Sequence, residues 1–132
     1  MKKLILSLLI LVASAMSASV YASSTVYEGT IGDYKIHMVL DEDYNGYYYY
    51  DHRPDSRFKL IKTRESYDDC DGVVCFTLQE FVPKNNKNSA EFICTLTEGH
   101  ESGVGVIIIE GLFRNKMNGK ILPFEVLHVY TY

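Results

Sequence analysis

Side chains with metal-binding chemistry are concentrated in one short polar segment. Asp41-x-Asp43-x-Asn45-Gly46 places oxygen-bearing side chains at alternate positions before a glycine. Alternate oxygens before a glycine are typical of the first half of a calcium loop, in which the oxygens converge and the glycine permits a sharp bend. The twelfth position, where such a loop has a bidentate glutamate, is His52. The segment therefore predicts an exposed acidic turn between strands, with calcium binding as the open alternative, and we assign no metal site and no cofactor.

Four consecutive tyrosines follow that turn and are the next candidates for recognition. Because successive side chains of a strand point to opposite faces, the run places two rings on each face of one strand. One pair is expected in the core and the other exposed or in a cavity, where tyrosine serves as an amphipathic contact. The alternative is that both pairs pack, with only the hydroxyls reaching solvent. The candidate binding residues are Tyr47, Tyr48, Tyr49, Tyr50, Asp41 and Asp43.

Three cysteines give an odd count, namely Cys70, Cys75 and Cys94. Cys70 and Cys75 bracket a turn that enters a strand, and we predict a disulfide between them that closes a small loop. If Phe76 lies opposite Cys94, then Cys94 points to the core and remains a buried thiol, whereas Cys75 points away. The alternative is a Cys75–Cys94 disulfide in another register.

Residues spaced for catalysis are not evident. The four histidines lie far apart in the sequence, at His37, His52, His100 and His128. His100 lies between Glu98 and Glu101, in a segment that we expect to be a loop. The sequence has no nucleophile elbow, phosphate loop or Cys-x-x-Cys motif. We therefore predict no catalytic residue and a protein that is not an enzyme.

The N-terminus predicts export. Lys2 and Lys3 precede an apolar run from Leu4 to Val12, and small residues follow up to Val20-Tyr21-Ala22. This is typical of a secretory signal peptide over residues 1–22, with residues 23–132 as one domain in an oxidising compartment. Removing residues 1–22 takes away two of 13 basic residues and none of 17 acidic ones, so the formal charge falls from −4 to −6. A chain this acidic is not expected to bind nucleic acid.

Strand-forming residues dominate residues 23–132, which contain a single alanine, Ala90. Apolar residues alternate with polar ones on either side of Gly32-Asp33, and this predicts a hairpin of 26–31 with 34–40. Further strands are expected over 47–50, 57–62, 73–81, 90–97, 104–110 and 120–132, and residues 111–114 either continue the 104–110 strand or begin another. We expect a polar loop over 63–72, and burial of both faces at Val106 to Ile109.

The spacing of these strands predicts the fold class and one register. About eight short strands without a helical stretch are typical of an all-β domain, a single antiparallel β-sandwich or small barrel. Placing Phe76 opposite Cys94 also aligns Leu78 with Phe92 and Val74 with Leu96, and this gives one continuous apolar face.

Several of these segments resemble a group of small exported bacterial all-β proteins of unassigned activity. The resemblance rests on Gly29-x-Ile31-Gly32-x-Tyr34-x-Ile36, Gly46 to Tyr50, Leu78-x-Glu80 and Asn118-Gly119-Lys120-x-Leu122-Pro123-Phe124. Gly111-Leu112-Phe113 stands where that group usually has Gly-x-Trp. The resemblance implies an all-β domain in a Gram-negative envelope and transfers no site residue.

These observations favour a periplasmic binding module without catalytic activity, such as an inhibitor or immunity-type protein. The expected partner is another envelope or exported protein, because acidic turns complement a cationic surface. The alternative is a β-barrel carrier of a small molecule or glycan, with inward tyrosines around a cavity. We expect no stable membrane insertion, and no feature of the sequence fixes the oligomeric state.

Overall fold

The computed structural model describes residues 23–66, 74–101 and 104–131. These residues form eight antiparallel strands, and the described residues contain no helix. The strands are β1 (Thr25–Ile31), β2 (Tyr34–Leu40), β3 (Gly46–Tyr50), β4 (Phe58–Ser66), β5 (Val74–Phe81), β6 (Asn88–Glu101), β7 (Val104–Asn115) and β8 (Ile121–Thr131).

The sheet closes on itself, so the fold is a small barrel and not a sandwich. Each strand pairs with the next along the chain, and β1 also pairs with β8, from Thr25 opposite Thr131 to Ile31 opposite Phe124. Closure gives every strand two neighbours and leaves no open sheet edge among them. This up-and-down order places the turns at 32–33, 51–57, 82–87 and 116–120 together at one end, the upper end, while the 41–45 turn lies at the opposite, lower end.

Two local predictions about pairing are confirmed. Strands β1 and β2 form a hairpin around Gly32-Asp33, in which Ile31 pairs with Tyr34 and Gly32 has a φ of 55°. Strands β5 and β6 pair in the predicted register, with Phe76 opposite Cys94, Leu78 opposite Phe92 and Val74 opposite Leu96.

Side chains fill the barrel interior, as an eight-stranded barrel of this width allows. Phe92 is fully buried at the centre of an aromatic cluster. Its ring centroid lies 5.2 Å from that of Tyr48, 5.1 Å from that of Phe113 and 5.0 Å from that of Phe124. Aliphatic side chains complete the core; among the most buried are Ile31, Ile36, Met38, Leu40, Leu60, Leu78, Ile109 and Val126.

Three expectations about strand extent and burial are wrong. Strand β4 continues to Ser66, whereas the sequence predicts a loop from residue 63. Residues 63–65 are exposed, and the outer side of a barrel accepts polar side chains. Strand β6 continues to Glu101, so the backbone of His100 lies in a strand and not in a loop. Of residues 106–109 only Ile109 is fully buried, since a single closed sheet has one interior face.

The N-terminal prediction lies outside the described residues, because the proposed signal peptide covers 1–22. Within the described part, the chain forms no helix of the length and apolarity that crossing a bilayer requires.

Candidate binding site

Strand β3 divides the four tyrosines between the inside and the outside of the barrel. Tyr48 is fully buried and Tyr50 faces the upper end of the interior, while Tyr47 and Tyr49 lie half-buried on the outer surface. The strand begins at Gly46, where a Cβ atom would lie only 1.9 Å from the Val39 carbonyl oxygen. The close approach of β2 and β3 therefore depends on glycine at this position.

The two outer rings are held by a cation from the neighbouring loop. The Arg57 guanidinium carbon lies 4.7 Å from the ring centroid of Tyr47 and 5.6 Å from that of Tyr49. Each distance is within the range of a cation–π contact, which contributes about 0.5–1 kcal/mol at an exposed site. Arg57 therefore bridges the two rings and restricts their motion.

Strand β2 contributes a histidine to the same surface. The His37 ring stacks on Tyr49 with centroids 5.0 Å apart. Its Nδ1 atom lies 3.1 Å from Glu28 Oε1 and its Nε2 atom 2.7 Å from Asp51 Oδ1. The hydrogen bond from His37 lowers the pKa of the exposed Asp51 carboxyl below its usual value. We call the outer surface made by His37, Tyr47, Tyr49 and Arg57 the tyrosine face.

The acidic turn lies directly before this face, at the lower end of the barrel. Asp41 Oδ1 accepts hydrogen bonds from the backbone N–H groups of Asp43, at 2.8 Å, and Asn45, at 3.0 Å. Asn45 Oδ1 accepts one from the Lys62 N–H at 2.8 Å. These oxygens stabilise the turn, and the described residues form no group of three acidic, histidine or cysteine side chains able to hold a metal ion. Asp41, Glu42 and Asp43 are exposed.

A polar group lies inside the barrel where sequence reasoning placed none. Glu80 is only 4% exposed, and its carboxylate accepts hydrogen bonds from the hydroxyls of Tyr48 and Ser89, the latter at 2.5 Å. Burial raises the pKa of Glu80, and it also raises that of Tyr48 well above the usual range. The sequence did contain a signal for this position, namely the alternation of inward and outward side chains along a strand. Glu80 follows Phe76 and Leu78 on the inward face of β5.

A cavity opens at the upper end next to the inward tyrosines. Its volume is about 250 Å³, and it is lined by Tyr34, Tyr50, His52, Arg53, Ser56 and Phe58. We call it the mouth cavity. Sequence reasoning missed it because most of the 51–57 segment is an irregular turn, whose residues meet Tyr34 only through the pairing of β2 with β3.

The cysteines divide between the two faces of the sheet as expected. Cys94 is a free thiol with 1% exposure, and burial raises its pKa well above the usual value. Cys75 is disulfide-bonded, so the alternative pairing with Cys94 is wrong; the register directs the two side chains to opposite faces. Cys70 lies outside the described residues, and the predicted Cys70–Cys75 bond stays a prediction.

Comparison of the chain with protein-family models, curated proteins and solved structures finds no match. The resemblance to small exported bacterial all-β proteins therefore stays a prediction.

Proposed function

We propose that this protein is an exported periplasmic binding module, of inhibitor or immunity type, that acts by contact with another protein and not by catalysis. The observation that carries the proposal is the tyrosine face. The core is filled without Tyr47 and Tyr49, which stand on the outer surface under Arg57. Tyrosine and arginine are the residue types enriched among those that contribute most of the energy of protein–protein interfaces.

The tyrosine face is also ordered in advance of binding. Arg57 bridges both rings, and His37 stacks on Tyr49 while it contacts carboxylates through both of its ring nitrogens. Fixing side chains on association costs free energy, so side chains that are already fixed lose less when a partner binds.

The charge next to the tyrosine face favours a cationic partner. Asp41, Glu42 and Asp43 are exposed immediately before β3, and the chain as a whole has a formal charge of −4. Acidic groups at the rim of an interface speed association with a basic protein and add less to the final affinity. We infer that the tyrosines anchor the partner and that the acidic turn guides it.

The alternative, a carrier of a small molecule or glycan, needs room for its ligand within the barrel. The interior is occupied by fully buried side chains, including Tyr48, Phe92 and Leu78. The filled interior favours contact on the outer surface over transport inside.

Affinity capture tests this proposal. The tagged protein is incubated with envelope extract as wild type, as a Tyr47→Ala/Tyr49→Ala double variant, and as Leu112→Ala, a control at an exposed site of β7. We expect a discrete protein that the wild type and Leu112→Ala retain in equal amounts. Loss of one such aromatic anchor costs about 2 kcal/mol, roughly thirtyfold in Kd, so the double variant should lose it.

Circular dichroism and thermal melting confirm that each variant is folded before capture is compared. Recovery of no specific protein by the wild type, or equal recovery by the double variant, would contradict the proposal.

A further inference from the structure

The mouth cavity has walls suited to a flat apolar group. The ring centroid of Tyr50 lies 6.1 Å from that of Tyr34 and 6.1 Å from that of Phe58, with interplanar angles of 82° and 88°. The rings of Tyr34 and Phe58 therefore both stand nearly perpendicular to the ring of Tyr50 around the opening of the cavity. Aromatic groups favour offset-stacked or edge-to-face contacts, both of which these walls offer to an inserted ring.

The opening of the mouth cavity carries positive charge. Arg53 lines it, and within the described residues its guanidinium takes part in no hydrogen bond or ion pair. His52 lines it too, with its ring 5.8 Å from that of Tyr50. Of the acidic side chains of this loop, Asp51 contacts His37 on the outer surface, and Asp55 does not line the mouth cavity but lines an adjoining one that shares Arg53 with it. A guanidinium presents paired N–H donors that match the two oxygens of a carboxylate.

The backbone of the 51–57 loop holds Arg53 at this opening. The Arg53 N–H donates to the Tyr50 carbonyl oxygen at 2.9 Å, and the Ser56 N–H donates to the Arg53 carbonyl oxygen at 3.2 Å. The Tyr50 ring in turn lies 5.7 Å, centroid to centroid, from the ring of Tyr48, whose hydroxyl donates to the buried Glu80. Backbone hydrogen bonds thus hold the main chain of Arg53 at the opening, and packed rings form the floor of the cavity.

Size limits the occupant. Pockets for drug-sized ligands measure about 300–1,000 Å³, and the mouth cavity, at about 250 Å³, is smaller. We propose that the mouth cavity binds small aromatic carboxylates, with the ring packed against the walls formed by Tyr34, Tyr50 and Phe58 and the carboxylate on Arg53. This site is separate from the tyrosine face and does not depend on the proposed protein partner.

Three probes of similar size separate the two parts of this recognition. Benzoate has both the ring and the charge, benzamide has the ring without the charge, and cyclohexanecarboxylate has the charge without the aromatic ring. Each is titrated into ¹⁵N-labelled full-length protein, and the backbone amide shifts are followed. We expect saturable shifts of residues 50–58 with benzoate, and binding about ten- to a hundredfold weaker with benzamide, as for loss of a charged hydrogen bond.

Variants then locate the site. Arg53→Gln should weaken benzoate binding by about ten- to a hundredfold, and Tyr34→Ala should also weaken it. Lys84→Gln, at the neighbouring cavity, and Tyr49→Ala, on the tyrosine face, should leave it unchanged. Arg53 and Tyr34 are exposed, so their replacement should not unfold the barrel.

Two results would overturn this inference. One is the absence of saturable shifts with benzoate at millimolar concentration. The other is benzoate binding that Arg53→Gln leaves unchanged, or shifts that map outside residues 50–58 and Tyr34. Since Tyr49→Ala removes part of the tyrosine face only, a failure of the protein-binding proposal and a failure of this one are distinguishable.

Discussion

At the scale of single residues, the carboxyl of Glu80 differs from the exposed carboxylates of the turns. It lies inside the barrel between the hydroxyls of Tyr48 and Ser89, and the described residues contain no buried polar side-chain atom without a hydrogen-bond partner. A buried carboxyl is costly when charged, and satisfying its hydrogen bonds offsets only part of that cost. Glu80 therefore makes the stability of the barrel depend on pH.

Replacing Glu80 by glutamine should change the pH dependence of the free energy of unfolding. Burial raises the folded-state pKa of Glu80 above its ordinary value of 4.5. As the pH rises from that value, the unfolded chain loses this proton first, so the native state binds more protons and its stability falls. The stabilising contribution of protonated Glu80 is fully present below the pKa that it has in the unfolded chain. It is lost as the pH rises through the pKa that Glu80 has in the folded protein.

Urea denaturation from pH 4 to pH 8 measures this effect. The difference in stability between Glu80→Gln and wild type should grow in favour of the variant as the pH rises, and then level off. Glu125→Gln, which removes a negative charge from the outer surface, should show no such growing difference. Parallel curves for wild type and Glu80→Gln would contradict the assigned role of burial.

At the scale of strands, the position of β3 depends on Gly46. Any Cβ at this residue would meet the backbone oxygen of Val39 at 1.9 Å, and a backbone atom cannot turn aside as a flexible side chain can. Since β3 carries all four tyrosines, a shift of this strand moves both the tyrosine face and the mouth cavity.

Gly46→Ala should therefore destabilise the barrel by about 1–3 kcal/mol or more, as for other overpacked interiors. The matched control is Gly119→Asn. Gly119 has a φ of 72° with no atom within 4 Å of an added Cβ, and asparagine tolerates this left-handed conformation. Thermal melting of the two variants makes the comparison. An equal melting temperature for Gly46→Ala and wild type would show that β2 and β3 separate at little cost.

The pairing of neighbouring strands could be predicted from the sequence wherever apolar and polar residues alternate on both sides of residues that favour a turn. The β1–β2 hairpin follows from Gly32-Asp33, and the β5–β6 register follows from the apolar face shared by Phe76, Leu78 and Phe92. The continuation of β4 through residues 63–66 could not be predicted, because polar residues on the outside of a barrel carry no signal of pairing. The same alternation could have placed Glu80 on the inner face, but the burial of Glu80 and its partners are shown only by the structure.

At the scale of the whole molecule, a long-range strand pairing closes the barrel, whereas both candidate sites lie on one part of it, from β2 to the start of β4. Pairing of β1 with β8 joins segments about a hundred residues apart, and no local pattern in the sequence predicts it. The tyrosine run predicted one inward and one outward pair, whereas Arg57 and His37 reach the outer rings from a loop and from β2. A binding surface made from several strands becomes visible only when the pairing of those strands is known.

The central claim is that the tyrosine face meets another protein where this chain acts. Site-specific photocrosslinking in living cells tests it, with p-benzoylphenylalanine replacing Tyr49 or, as control, Leu112, which is 46% exposed on β7. Both variants are exported with the N-terminal segment in cells that have a periplasm and are then irradiated. We expect a discrete adduct larger than the free chain from position 49 and none from position 112. Adducts from position 112 alone, or from neither position, would contradict it.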